Sequence, residues 1–192
     1  NGFGTGKDVL AVAFGNNTFV AVGEGGKIST SPDGTSDTWT AQTSGTTKTF
    51  RGVAYGNNTF VAVGNTGKIF TSDNGTTWTA QTSGVTVRLN GVTFSTDKFV
   101  AVGNTGTILT SPDGTTWTGQ TSGTTQALHG VTYGNNTFVV VGNNGIIKTS
   151  PDGTTWTAQT SGTTFAIEGV TYGNGLFVVV GASGTLLTSP DG

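Results

Sequence analysis

A 39-residue period constrains this chain more than any other feature. The motif Phe-Val-x-Val-Gly begins at Phe19, Phe60, Phe99, Phe138 and Phe177, so its steps are 41, 39, 39 and 39 residues. Trp39, Trp78, Trp117 and Trp156 keep the same 39-residue step. The first Phe step is longer because SPDGTSDTW carries two extra residues before its Trp. Self-similarity at such a period means that one small supersecondary unit is stacked in tandem, each copy covering a neighbour's apolar face.

The unit divides into four strand-like runs. In RGVAYGNNTFVAVGNTGKIFTSDNGTTWTAQTSG these are GVAYG, TFVAVG, KIFTS and TTWTAQT, separated by GNN, NTG and DNG. Each run is β-branched or aromatic, and each separator supplies the Asn, Asp or Gly that hairpin turns require. No segment carries a sustained helical period. Four antiparallel strands per repeat predict an all-β fold, a β-propeller of five four-stranded blades, with the last blade incomplete or closed by the N-terminus. One domain is expected over 1–192, with repeats at 4–44, 45–83, 84–122, 123–161 and 162–192.

Composition narrows the function. Net charge is −2 and only 9% of residues are charged, so neither nucleic acid nor an anionic membrane is an expected partner. There is no cysteine, hence no disulfide or thiolate metal site, and no cofactor or metal is expected. The absence of Met, even at position 1, is read as a processed chain or an excised piece. The apolar runs are far too short to span a bilayer. Asn-x-Thr sequons at Asn16, Asn57 and Asn135 coincide with the expected hairpin turns, where Asn belongs anyway.

The segments SPDGTSDTW, SDNGTTW and SPDGTTW resemble the Asp-box, or BNR, repeat of sialidase-like propellers. Their elements are Asp33 with Trp39, Asn74 with Trp78, Asp113 with Trp117, and Asp152 with Trp156; Asp191 stands in a final SPDG. Physical chemistry favours a structural role, in which the Asp or Asn side chain bonds to the backbone of the turn it begins and the Trp packs between strands or blades. One carboxylate per turn is too few for calcium. The resemblance to sialidases implies three arginines and a Tyr–Glu pair, but the chain has only Arg51 and Arg88. The repeat also resembles the propeller of photosystem II assembly factors, which implies an arginine-rich patch that two arginines do not make.

The fifth repeat lacks TTWTAQ, and residues 1–3 align with the tail of a fourth strand. A five-bladed closed ring is favoured, with residues 1–6 patching the incomplete blade or not; a window from a longer array is the alternative. An unfilled blade edge would invite self-association.

The repeats diverge at the entry to the first strand of each unit. There Leu10, Arg51, Asn90, His129 and Glu168 occupy one aligned position, preceded by the apolar Val9, Phe50, Leu89, Leu128 and Ile167. In a propeller this position lies at one mouth of the central channel, beside the turns that carry Glu24, Asn65, Asn104, Asn143 and Ala182. Arg51, Arg88, Asn90, His129, Glu168 and Glu24 are therefore the candidate ligand-binding residues, set against ordinary drift of a solvated rim. No activated nucleophile accompanies His129 and Glu168, so no enzyme is expected. The reading is a non-catalytic recognition or display module at a cell or virion surface, extracellular and glycan-binding (lectin-like), as in a bacterial surface or phage-associated protein. Its partner would be a glycan or a protein met at the channel mouth. The alternatives are a purely structural or subunit-linking repeat, natural or designed, and a degenerate sialidase-like hydrolase.

Overall fold

A computed structural model describes residues 6–192. It contains five antiparallel sheets, four of four strands and one of three. The first blade is β1 (Val9–Gly15), β2 (Thr18–Gly23), β3 (Ile28–Ser31) and β4 (Thr40–Gln42). The second is β5 (Phe50–Gly56), β6 (Thr59–Gly64), β7 (Ile69–Ser72) and β8 (Thr79–Gln81). The third is β9 (Leu89–Phe94), β10 (Phe99–Gly103), β11 (Ile108–Ser111) and β12 (Thr118–Gln120). The fourth is β13 (Leu128–Gly134), β14 (Thr137–Gly142), β15 (Ile147–Ser150) and β16 (Thr157–Gln159). The fifth is β17 (Ile167–Gly173), β18 (Leu176–Gly181) and β19 (Leu186–Ser189). Strand order follows chain order within every sheet, as short hairpin turns dictate. The Asn-Asn pairs at 16–17, 57–58 and 135–136 hold positive φ at both central positions, the conformation that matches the twist of flanking strands.

The innermost strands β1, β5, β9, β13 and β17 pack side by side in that order. Between blades, the middle strand of one sheet interlocks with the next. Val20, Val22 and Ile28 meet Phe50, Phe60 and Phe70; one period on, Val61, Val63 and Ile69 meet Leu89, Phe99 and Leu109. Fully burying each such side chain contributes about 1.5–3 kcal/mol.

The expected closure of five blades into a ring is not made by the described residues. No packing like that between consecutive blades joins the fifth blade to the first. Val9, Val12 and Phe14 on the first blade are 53%, 59% and 55% exposed, and Val180 and Leu186 on the fifth are 50% and 65% exposed. Their counterparts inside the stack, such as Phe50 and Val53, are buried. Closure would cover these faces as it covers the others, so the five blades form an arc with two apolar ends. Of residues 1–6, assigned a patching role from sequence, residues 1–5 lie outside the described residues.

The expected fourth strand also begins later than its sequence suggests. In TTWTAQT only the Thr-x-Gln portion pairs, while Trp78, Trp117 and Trp156 precede it, still in the turn. Each indole folds back and donates its N–H to the carbonyl oxygen of Gly75 (2.8 Å), Gly114 (2.8 Å) or Gly153 (3.1 Å). These tryptophans are half-buried over the seam with the preceding blade. Trp39, displaced by its two-residue insertion, packs against none of the buried clusters of described residues.

Candidate functional site at the channel mouth

The inner strand of every blade opens with a β-bulge. Phe50 pairs with Gly64 and Gly52 with Val63, which leaves Arg51 as the extra residue. The same shift leaves Leu10, Asn90, His129 and Glu168 unpaired in the other blades. A bulge re-aims one side chain out of the ladder. The residue before it, Phe50, Leu89, Leu128 or Ile167, is fully buried. The bulged residue is free of the packing that fixes its neighbours, and this is where the five blades differ.

Three of the bulged side chains are held by one device. Each reaches the Asn that opens the 3-10 turn after the second strand of its own blade, 14 residues on. Arg51 Nε donates to Asn65 Oδ1 at 2.9 Å, Asn90 Nδ2 to Asn104 Oδ1 at 3.1 Å, and His129 Nε2 lies 2.7 Å from Asn143 Oδ1. An amide oxygen only accepts, so this last bond requires the proton on Nε2. Those turns are anchored in their turn by backbone bonds from Asn65 N to Thr49 O and from Asn104 N to Arg88 O, both 2.9 Å. Asn90 Nδ2 also donates to Leu128 O of the next blade at 2.7 Å, tying adjacent blades at the mouth.

Leu10, Arg51, Arg88, Asn90, His129 and Glu168 line one depression of about 270 Å³. Five of the six proposed binding residues therefore meet there. Glu24, the sixth, lies in the adjoining turn of the first blade, where the Asp8 N–H donates to its Oε2 at 3.5 Å. Burial, and after it the like charge of Arg88, lowers the Arg51 guanidinium from its ordinary value, while Glu24 acts in the opposite direction. Arg88 stands two residues before the bulge rather than at it, and its buried Nε has no hydrogen-bond partner among the described residues. On the other flank His129 Nδ1 and Glu168 Oε2 are 4.0 Å apart, an ion pair when the imidazole is protonated. The depression thus runs from a cationic side to an acidic one.

The Ser-x-Asp-Gly turns lie on the opposite face, joined to the first hairpin turn of the preceding blade. Asn16 Nδ2 reaches Asp73 O at 3.5 Å, Lys98 Nζ reaches Asp152 O at 3.0 Å and Asn135 Nδ2 reaches Pro190 O at 3.3 Å. Within the turn, the serine Oγ accepts the N–H of Gly34, Gly75, Gly114 or Gly153 at 2.8 Å. The acidic or amide oxygen then accepts from the backbone ahead. Asp113 Oδ1 takes Thr115 N at 2.8 Å and Thr116 N at 3.0 Å, and Asn74 Oδ1 takes Thr76 N at 2.9 Å and Thr77 N at 3.0 Å. These bonds stabilise the charged carboxylate. They hold Asp113 at about 2, chiefly through Thr116 N, and Asp33 at about 2, chiefly through the Thr38 hydroxyl. Asp152 is lowered likewise, first by Thr155 N. Among the described residues no group of three or more His, Cys, Asp or Glu could hold a metal ion.

The bulge and the 14-residue partnership escaped sequence reasoning, although Asn65, Asn104 and Asn143 stand in the turns already placed at this mouth. The signal for the partnership was present as a fixed 14-residue offset between a variable residue and an Asn that recurs in the three middle repeats. The signal for the bulge was absent, because one unpaired residue leaves no mark on composition.

A family model described as the DUF6242 beta propeller domain matches residues 3–125. No curated protein matches the chain in sequence. Among solved structures, YCF48 bound to D1 peptide superposes with a TM-score of 0.74 at 16% identity, over 95% of this chain and 63% of that one. The computationally designed Ika8 protein gives a TM-score of 0.74 at 19% identity, over 94% of this chain and 57% of that one. The nidogen/laminin complex gives 0.72 at 14% identity, over 91% of this chain and 72% of that one. At such identities the likeness is one of fold. The chain spans less than two thirds of the first two structures.

Proposed function

The chain belongs to the DUF6242 β-propeller domain family, and from that premise we propose that it is a non-catalytic recognition module that binds a carboxylate-bearing peptide segment of a protein partner at the channel mouth. The observation that carries this reading is the pair of guanidinium groups on one side of the depression. Arg51 is clamped by Asn65, and Arg88 beside it keeps a buried Nε without a partner among the described residues. Two like charges held together are relieved by an anionic ligand, and a guanidinium fork matches a carboxylate in geometry as well as charge. The opposite flank, with His129 and Glu168, suits donors such as backbone N–H groups or a lysine. The propeller YCF48 has been solved bound to a peptide, and a propeller neighbour comes from a nidogen/laminin complex.

The absence of catalysis in this reading rests on the lining. His129 and Glu168 could exchange a proton, but no Ser, Thr, Tyr or Cys lines the depression beside them. The glycan expectation is weaker on the same ground, since sugars commonly stack on aromatic faces and the only ring in the lining is His129.

The test is a peptide array of acidic and neutral sequences, run beside a glycan array, with the parent and with Arg51→Ala and Arg88→Ala. Acidic peptides should bind the parent, more weakly as salt rises, and each variant should lose about ten-fold or more at unchanged thermal stability. Glycan binding that survives both substitutions, or no peptide binding by folded parent, would refute the proposal.

A further inference from the structure

At the entry to the third strand, two positions trade chemistry in one blade. In the first three blades a polar residue, Lys27, Lys68 or Thr107, precedes the isoleucine, and a buried Ser29, Phe70 or Leu109 follows it. The fourth blade reads Ile146-Ile147-Lys148 instead. Ile146 packs against the buried cluster that holds Val100, Ile108 and Phe138, and Lys148 takes the interior position, only 7% exposed. Its counterpart one repeat earlier, Leu109, is part of the buried cluster between the second and third blades.

A lysine placed so deeply is ordinarily paired. Lys98 Nζ lies 3.4 Å from Asp97 Oδ2 and donates to Asp152 O at 3.0 Å, whereas Lys148 Nζ has neither an ion pair nor a hydrogen bond among the described residues. Its amine lies beside Gly123, 3.7 Å from where a Cβ on that glycine would stand. Gly123 and Thr124 belong to the linker arriving from the third blade. With Lys148, Gln159, Thr160 and Thr164 they line an open groove of about 500 Å³, within the size range of small-molecule sites. The lysine stem thus fills the place of a leucine and delivers its charge to the groove. The same groove recurs one period earlier, lined by Gln120, Thr121 and Thr125, with Leu109 where Lys148 stands. No carboxylate lines either groove.

We infer that the groove over Lys148 is a binding site for a small hydroxy-acid anion. The ammonium takes the carboxylate, and the uncharged lining takes the hydroxyls. A bare inorganic anion would use the amine and leave the rest of the lining idle. Thr124, Thr160 and Thr164 carry hydroxyls that donate and accept, and Gln159, whose Nε2 is engaged with Thr149 Oγ1 at 2.8 Å, keeps its Oε1 to accept. A charge-assisted bond in a partly dry site supplies most of the affinity, and the hydroxyl partners supply the selectivity. The site is independent of the arginine pair, since no residue lines both this groove and the channel mouth.

The probes are sodium gluconate, sorbitol and acetate, titrated into the isotope-labelled full chain and followed by amide NMR. Sorbitol keeps the hydroxyls without the charge, and acetate keeps the charge without the hydroxyls. Gluconate should shift the Gly123 and Thr124 amides saturably at about millimolar concentration, and the other two should bind about ten-fold more weakly or worse. Shifts at the Arg51 and Arg88 amides report the channel mouth separately, so failure at one site is told apart from failure at the other. Lys148→Leu, and Ile146→Thr with Lys148→Leu, copy the apolar interior position of the third blade; each should lose about ten-fold or more in gluconate affinity while keeping the folded amide spectrum. The inference is overturned if sorbitol or acetate binds as tightly as gluconate, if a folded leucine variant binds gluconate as the parent does, or if the Gly123 and Thr124 amides stay unmoved at about 100 mM gluconate.

Discussion

Gly134 and Gly173 occupy the same repeat position in the near-identical local sequences VTYGNN and VTYGNG, yet alanine should do opposite things there. Neither glycine has a positive φ, so the backbone of both accepts an L side chain. At Gly134 a Cβ would lie 2.1 Å from Tyr172 Cγ, 2.2 Å from its Cδ1 and 2.7 Å from its Cβ, all belonging to the next blade. The ring would have to retreat by more than about 1 Å to reach ordinary carbon–carbon contact. It cannot do so freely, because Tyr172 already lies with its ring centroid 4.7 Å from that of the buried Phe177. Overpacking of this kind costs about 1–3 kcal/mol. At Gly173 nothing lies within 4 Å of the added atom, since no aromatic from a further blade covers it. There Gly173→Ala should gain about 0.4–1 kcal/mol by restricting the unfolded chain. For a chain of this size 1 kcal/mol moves Tm by about 2–4 °C, so Gly134→Ala should lower Tm by roughly 2–12 °C and Gly173→Ala should raise it slightly. Thermal and urea unfolding followed by tryptophan fluorescence would read both. Equal shifts in the same direction would refute the argument that the fifth blade presents an uncovered face. The third blade shows how the glycine can be avoided: Ser95 stands there, but its turn is rebuilt, with Ser95 N donating to Lys98 O at 2.9 Å and no positive φ at Thr96 or Asp97.

Two further outcomes follow from the turns. Trp117→Ala should cost about 3–5 kcal/mol in urea unfolding, since it removes both the cover of a buried seam and the bond to Gly114 O, whereas Trp39→Ala, outside every buried cluster, should cost at least about 1–2 kcal/mol less; similar costs would show that the seam does not hold the indole as described. Asp33 and Asp113 have folded-state values of about 2 against 3.8, so their stabilisation is fully present above about pH 4 and lost as pH falls through about 2. A chain with Asp33→Asn, Asp113→Asn and Asp152→Asn, which copies the natural Asn74 turn into the other blades, should therefore lose less Tm between about pH 5 and about pH 2 than the parent, and an unchanged acid slope would contradict the assignment.

The architecture was legible because its signals are local. The short β-branched and aromatic runs, the Asn-Asn and Gly turns and the 39-residue step lie in single short segments, and together they specify blade and strand order. The turn chemistry of Asp113 and Asn74 was legible for the same reason, since each bonds to backbone two or three residues ahead. The site was legible only as a place where copies differ. That Leu10, Arg51, Asn90, His129 and Glu168 are the unpaired residues of five bulges depends on pairing register with a strand some 13 residues away, which no local pattern encodes. The folding-back of Trp78 onto Gly75 likewise required the turn in three dimensions. Whether the blades close turns on contacts between residues a full repeat or more apart. Near-identical repeats carry identical local instructions, so Gly134 and Gly173 read alike in sequence, and only the packing of the next blade makes one of them costly to replace.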